Sequence, residues 1–285
     1  MFTFLQEILE YQFLQNALWA SVLVSVAAGI VGSYITSRRM VFLSGGITHA
    51  SFGGIGIAYY FGINPVMGAL VFAILSAFGI EALANRKMVR EDSAIGILWA
   101  FGMAIGIIFV FLTPGYAPNL MNFLFGSILT VTQSDLLMLL ALDVILIALF
   151  WLFFNPILFI SFDPEFAQTQ KVPVKVVQYI LTALMAAAIV LSIRVVGIIL
   201  LISLFSIPPA TANFFTKTFK GMIRWSIAIS LIGTFVGLLA SYRVNIPSGA
   251  AIIVVFVVMF ALAKLVSYTT MRVRIRTENN KLHQA

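Results

Sequence analysis

The stretch Gly45-Gly46-Ile47-Thr48-His49-Ala50-Ser51-Phe52-Gly53-Gly54-Ile55-Gly56 carries the reading on which the fold turns. It lies within an uncharged run over about 41–61, the roughly 20 residues that a helix needs to cross a hydrocarbon core of about 30 Å. Inside such a core every backbone polar group must pair within its own segment, which selects a helix. At helical spacing Gly45, His49 and Gly53 fall on one face, so one of the chain's 2 histidines stands on a strip almost free of side chains. A full charge within a span costs roughly 2.5–3.5 kcal/mol, and neutral His costs less. Glycines beside it admit another helix, or a desolvated cation, to close range.

The rest of the chain repeats this pattern. Its 285 residues are 61% hydrophobic and 9% charged, with a mean hydropathy of +1.07. A soluble domain carries about 25% charged residues, so this composition excludes one. The runs are continuous rather than alternating, which excludes a barrel. The expected fold is all-α, a polytopic bundle with spans at about 16–37, 41–61, 65–84, 93–112, 134–154, 174–193, 196–215, 222–242 and 247–267. One transmembrane domain over 1–270 and a polar, basic tail over 271–285 account for the whole sequence. No internal repeat is evident.

Charge sets the expected topology. With the N-terminus outside, the cytoplasmic loops hold Arg38 and Arg39; Arg86, Lys87 and Arg90; Lys171 and Lys175; and Lys217, Lys220 and Arg224. The C-terminal stretch adds Lys264, Arg272, Arg274, Arg276 and Lys281. Of 17 basic residues only Arg194 and Arg243 then fall outside, as the positive-inside rule requires. The same rule explains the net charge of +7 without nucleic acid. Met1 to Gln15 holds Glu7 and Glu10 and no basic residue, unlike a cleavable signal. The absence of cysteine excludes disulfides and thiolate metal sites.

Two places leave the count at eight or nine crossings. Ser206-Ile207-Pro208-Pro209 removes two N–H donors from the seventh span and is expected to break its helix. Asn119 to Thr130 is too short to span and reads as a half-helix at the outer surface. Close helix contacts are signalled by Gly102 and Gly106, Gly233 and Gly237, and Gly29 with Ser33.

Most acidic residues have simple structural readings. Glu91 and Asp92 open the fourth span where the helix dipole favours carboxylates. Glu81 lies within reach of the interface, and Asp135 reads as a cap. Asp143 is different: it lies deep in the fifth span and needs a partner, a cavity or protonation. Its readings are a polar pathway or a structural hydrogen bond. His49 suits transient ligation of a divalent ion, because neutral imidazole is a common ligand for zinc and similar ions. The alternative for it is a core histidine bonded to a carbonyl. No G-x-x-x-x-G-K-[ST], H-E-x-x-H or G-x-S-x-G motif occurs, so neither ATP hydrolysis nor those proteolytic chemistries are visible. The connection over about 155–173 contains Phe162-Asp163-Pro164-Glu165-Phe166-Ala167. Asp163 can cap, Pro164 fits the first helical position and Glu165 favours the first turn of a short surface helix.

Together these segments resemble the membrane permease subunit of ABC-type zinc/manganese/iron importers. The resemblance runs from about Ser33 to Ala263. It rests on Ser44 to Gly54, Glu91-Asp92-Ser93-Ala94-Ile95-Gly96-Ile97, Leu124-Phe125-Gly126 and Asp163 to Ala167. Val196-Gly197, Ile207-Pro208-Pro209-Ala210-Thr211-Ala212 and Ile246-Pro247-Ser248-Gly249 complete it. It implies a multi-pass protein of the prokaryotic plasma (inner) membrane that acts as half of a permease homodimer and has no catalytic residue. A cytoplasmic ATP-binding subunit would dock on Phe162, Asp163, Pro164, Glu165 and Ala167 and use the ATP. An extracytoplasmic metal-binding protein would deliver the ion. His49 would line the pathway with Gly45 and Gly53, near carbonyls freed by Pro208 and Pro209. The transported divalent ion, zinc or manganese/iron, would be cargo rather than cofactor. Two departures stand out. The family's Asp four residues before the histidine is Gly45 here, which tilts the preference from manganese toward nitrogen-preferring zinc. Its Gly four residues after the docking Ala is Lys171. An ion-coupled secondary transporter using His49 and Asp143 as a proton relay is the alternative reading.

Overall fold

The computed structural model describes residues 10–85, 89–114 and 128–282. Its elements are α1 (Gln12–Ser37), α2 (Val41–Tyr60), α3 (Pro65–Asn85) and α4 (Glu91–Leu112), then a 3-10 turn at Ile128–Thr130. They continue with α5 (Gln133–Leu152), α6 (Phe154–Phe162), α7 (Pro164–Thr169) and α8 (Val174–Val196). The chain ends with α9 (Ile198–Ala212), α10 (Phe219–Val244) and α11 (Ser248–Leu282). Among the described residues there is no strand, and 8 helices are long and apolar enough to cross a membrane. Arg86, Lys87 and the Leu124-Phe125-Gly126 match lie outside the described residues, as does all of the expected half-helix before Ile128. The backbone of α11 runs on through most of the polar tail.

The ninth segment, α9, has 15 residues, or about 22 Å of helix, less than a full hydrocarbon core. Contacts at its two ends nevertheless put them at opposite ends of the bundle. Arg194, just before α9, pairs with Asp135 at 2.7 Å, and nearby Asn16 donates to the Val131 carbonyl at 3.0 Å. Asn213 and Lys217, just after it, border a cleft with Thr36, Ser37 and Phe162. Among the described residues the chain thus passes from end to end nine times, once through a short helix.

The expected break in α9 does not occur. Pro208 and Pro209 lie inside a continuous helix, although their missing N–H groups leave the carbonyls of Leu204 and Phe205 without helical donors. The Phe205 carbonyl lies against Gly32 of α1, where a Cβ would come within 2.7 Å of it. The ladder resumes with Asn213 N–H donating to the Pro209 carbonyl at 3.2 Å, and the Thr211 hydroxyl donates to Ile207 at 2.8 Å. Protein cover makes such gaps tolerable at membrane depth.

Two groups of helices share α8 and α9. In one, α2 packs against α3 and α4, with α8 closing on α3; in the other, α1 packs against α5, α9 and α10, with α11 outside. Small residues set the closest contacts, because helix association in lipid rests on packing rather than on exclusion of water. A Cβ on Gly102 would lie 2.6 Å from the Ala50 Cα, and one on Gly106 would lie 2.6 Å from the Phe52 carbonyl oxygen. Gly54 meets Gly68 backbone to backbone. These contacts seat α4 across α2, and thereby set what lies beside His49.

Candidate functional site

His49 is half-buried on α2, which packs against α4 and touches α9; one turn earlier, at Gly45, residues of both helices border a notch. Around it the α2 backbone is steadied by Thr48, which donates to the Ser44 carbonyl, and Ser51, which donates to that of Thr48, each at 2.6 Å. The imidazole lies flat on the indole of Trp99 of α4, with centroids 4.3 Å apart and an interplanar angle of 4°. Gly45 opens toward the same notch: a Cβ there would meet only Ile202 of α9 at 3.8 Å and Trp99 at 3.9 Å. These are ordinary contact distances, and they leave room.

On α9 the accessible residues are Ile199, Ile202, Ser203, Ser206, Ile207 and Ala210, which recur at helical spacing on one side. Ile202 belongs to this stripe, so the notch continues along it past two hydroxyls. Those hydroxyls donate back to Ile199 and Ile202 at 3.2 and 2.7 Å, leaving their acceptor lone pairs outward.

Not all the residues singled out from sequence meet here. Gly53 packs against Phe72 and the Gly102 carbonyl, 2.8 and 2.9 Å from a Cβ; it admits a helix. Pro209 packs against Gly32, with its Cγ 2.9 Å from a Cβ there, and Pro208 is buried as well. The freed Phe205 carbonyl therefore points to α1 and not into the notch. Asp143 is buried in α5, whose principal neighbours are α1 and α8 rather than α2. Neither of its carboxylate oxygens has a hydrogen-bond partner among the described residues. No group of three or more His, Asp or Glu side chains there could hold a metal ion.

The connection that contains Asp163 is capped locally as its sequence suggests. The Asp163 carboxylate accepts from Phe166 N–H at 2.9 Å, with Pro164 at the start of α7 and Glu165 in its first turn. Ala167 is fully buried against Ile160 and Val174, while Phe162 and Phe166 are exposed. The helix ends in a paired turn: Lys171 N–H donates to Gln168 at 3.0 Å and Val172 N–H to Ala167 at 3.1 Å. Lys171 itself is left-handed, with φ 59°, a conformation that glycine would adopt without strain. Arg38 fixes the module to the end of α1 by donating to the Ile160 carbonyl at 3.3 Å. Phe162 meets Phe219 of α10 edge-on at 6.2 Å.

The remaining acidic residues of the spans lie apart from His49 in sequence. Asp135 accepts from Thr132 N–H at 3.1 Å while Thr132 caps Asp135 N–H at 3.3 Å, a reciprocal box one step beyond the simple cap expected. Glu91 and Asp92 stand in the first turn of α4 with no side-chain cap bond at Arg90. Glu81 is buried and accepts from Thr182 at 3.4 Å. Trp99, Ile202 and Ser203 are residues of this region that sequence reasoning did not single out.

Among the described residues, a helical bundle with 8 membrane-length helices and a short ninth, one imidazole beside a side notch and a capped surface helix at one end makes this a multi-pass membrane protein. The chain belongs to the ABC 3 transport family, whose model matches residues 10–267. It is 43% identical over 247 residues to an uncharacterised membrane protein of Synechocystis sp., covering 87% of this chain and 88% of that one. Over 262 residues it is 35% identical to the manganese transport system membrane protein MntC of Listeria monocytogenes, covering 92% and 93%. Among solved structures, PsaBC from Streptococcus pneumoniae in complex with Fab matches with a TM-score of 0.81 at 30% identity, covering 92% of this chain and 94% of that one. The protein is thus an ABC transporter permease of the prokaryotic plasma membrane.

Proposed function

We propose that this chain is the permease through which an ATP-driven importer moves a divalent transition-metal ion into the cytoplasm, zinc in preference to manganese. Two copies face each other across the His49 notch, and the ion passes between them. The observation that carries this reading is the position of His49, half-buried at the edge of one bundle beside an accessible stripe with Ser203 and Ser206. An ionisable ring is not left facing lipid, and one imidazole does not complete a binding set. A second copy supplies both the cover and the missing donor. Weak ligation from the two rings lets the ion leave again, as a four-ligand structural site does not.

With the N-terminus outside, the Asp163–Ala167 module faces the cytoplasm and receives the ATP-binding subunit, while a metal-binding protein delivers ions at the opposite end. The module leans on α1 through Arg38 and on α10 through Phe162, and it borders a cleft of about 210 Å³ with the residues that follow α9. Movement imposed there by the ATPase has a short path to the helix that walls the notch. The zinc preference rests on Gly45: without a carboxylate the donors are nitrogens, for which Mn²⁺ ranks lowest of the first-row divalent ions. Manganese import is the second reading, favoured by the Listeria relative. An ion-coupled relay would need His49 and Asp143 in one file, yet their helices have different principal neighbours.

The deciding experiment is uptake in chelator-limited cells whose only importer contains this chain. We expect ⁶⁵Zn to enter, unlabelled Mn²⁺ to compete poorly, and His49→Ala to reduce entry without lowering membrane expression. Uptake by the purified chain in vesicles without any ATPase would overturn the ATP-driven reading. Undiminished uptake by His49→Ala would remove His49 from the pathway.

A further inference from the structure

Trp99 makes the only ring contact recorded for His49 among the described residues, and the same indole borders the open position at Gly45. Imidazole binds a cation through the nitrogen lone pair in its ring plane, so whatever fixes that plane fixes the line along which an ion must approach. A parallel ring at 4.3 Å does this directly. Position 45 matters to the same pair of rings. A Cβ there would have only the Cζ3 edge of Trp99 and the Cδ1 methyl of Ile202 beside it, at 3.9 and 3.8 Å, and neither atom is a hydrogen-bond donor. The absent acid and the indole are therefore two parts of one arrangement.

We infer that Trp99 is the positioning residue of the His49 site, holding the imidazole edge-on to the passing ion and, with Gly45, keeping the site a nitrogen-only one that discriminates against Mn²⁺. The inference rests on the importer reading above and assigns the selectivity of that pathway to an aromatic pair. Nothing in the fold requires an aromatic residue here: α4 is seated on α2 by Gly102 and Gly106, and Trp99 itself is only half-buried.

The chain has 4 tryptophans, so the variant Trp19→Phe/Trp151→Phe/Trp225→Phe leaves Trp99 as sole emitter. In this full-length chain in nanodiscs, Zn²⁺ should change the Trp99 emission, and His49→Ala should abolish the response. In chelator-limited cells, Trp99→Ala should lower ⁶⁵Zn uptake roughly three- to tenfold, the range set by one stacked aromatic pair, and Trp99→Phe should restore most of it. Gly45→Asp should raise the ⁵⁴Mn to ⁶⁵Zn ratio only when combined with Trp99→Ala. A Zn²⁺ response that survives His49→Ala overturns the inference. So does a Trp99→Ala chain that carries both metals at unaltered rates and ratio. If Trp99→Ala fails to reach the membrane, the emission measurement and Trp99→Phe still decide. Metal uptake by the unaltered chain with an indifferent Trp99→Ala sinks this inference alone. No metal uptake by the unaltered chain sinks the importer reading and this inference with it.

Discussion

At the scale of single residues, Asp143 and Lys171 pose opposite questions. Asp143 is a carboxyl buried in α5 whose oxygens find no partner among the described residues, so it contributes no hydrogen bond to this state. Replacing such a group by an isostere of lower polarity is neutral or stabilising. Asp143→Asn should therefore unfold in detergent at the same temperature as the parent or a few degrees higher, read by differential scanning fluorimetry. A lower midpoint would reveal a stabilising partner. Lys171 is a left-handed residue without the freedom of glycine, a conformation that costs roughly 1–2 kcal/mol. Lys171→Gly should slow amide exchange at Val172 and at the residues of α7 by up to about tenfold, whereas Lys171→Ala should not. Faster exchange in the glycine variant would mean that the lysine side chain holds the turn. Sequence alone distinguished these two residues only in part. The depth of Asp143 is legible from its place in an apolar run, but its neighbours are not, because helix order in a bundle is not written in any one helix. The role of position 171 became legible once its φ was known.

At the scale of elements, apolar length placed the 8 membrane-length helices of the described residues and the short α9, because lipid leaves a span no alternative to a helix. The pair Pro208-Pro209 shows where local reasoning gives out. In isolation it breaks a helix, yet α9 is continuous, since Gly32 of a distant segment brings α1 against a carbonyl that the prolines left free. Trp99 was missed for a related reason. A tryptophan in a hydrophobic run carries no signal of its own, and its meaning comes from the glycines that seat α4 across α2. The capped surface helix α7 was the most legible element, because Asp163, Pro164 and Ala167 act within a few residues of one another.

At the scale of the whole molecule, the proposed meeting of two copies across His49 can be tested directly, because the chain has no cysteine of its own. Introduced singly, Ser203→Cys should join two chains in native membranes on treatment with bis-maleimides of graded length, giving a dimer band in denaturing gels. Trp151→Cys, on a strongly exposed residue of α5, should not. Equal reaction at both positions, or none at Ser203→Cys, would argue against two copies meeting across the notch.

Gly197 joins α8 to α9 as a single residue with φ 76°, and its length matters as much as its flexibility. Successive residues of a helix are turned by roughly 100° about its axis. One residue gained or lost at this joint would rotate the accessible stripe of α9 away from His49 while leaving every helix intact. Variation in chain length is therefore free to accumulate in the surface connections of this bundle, but the phase between α8 and α9 is fixed by a linker with no slack to absorb an error.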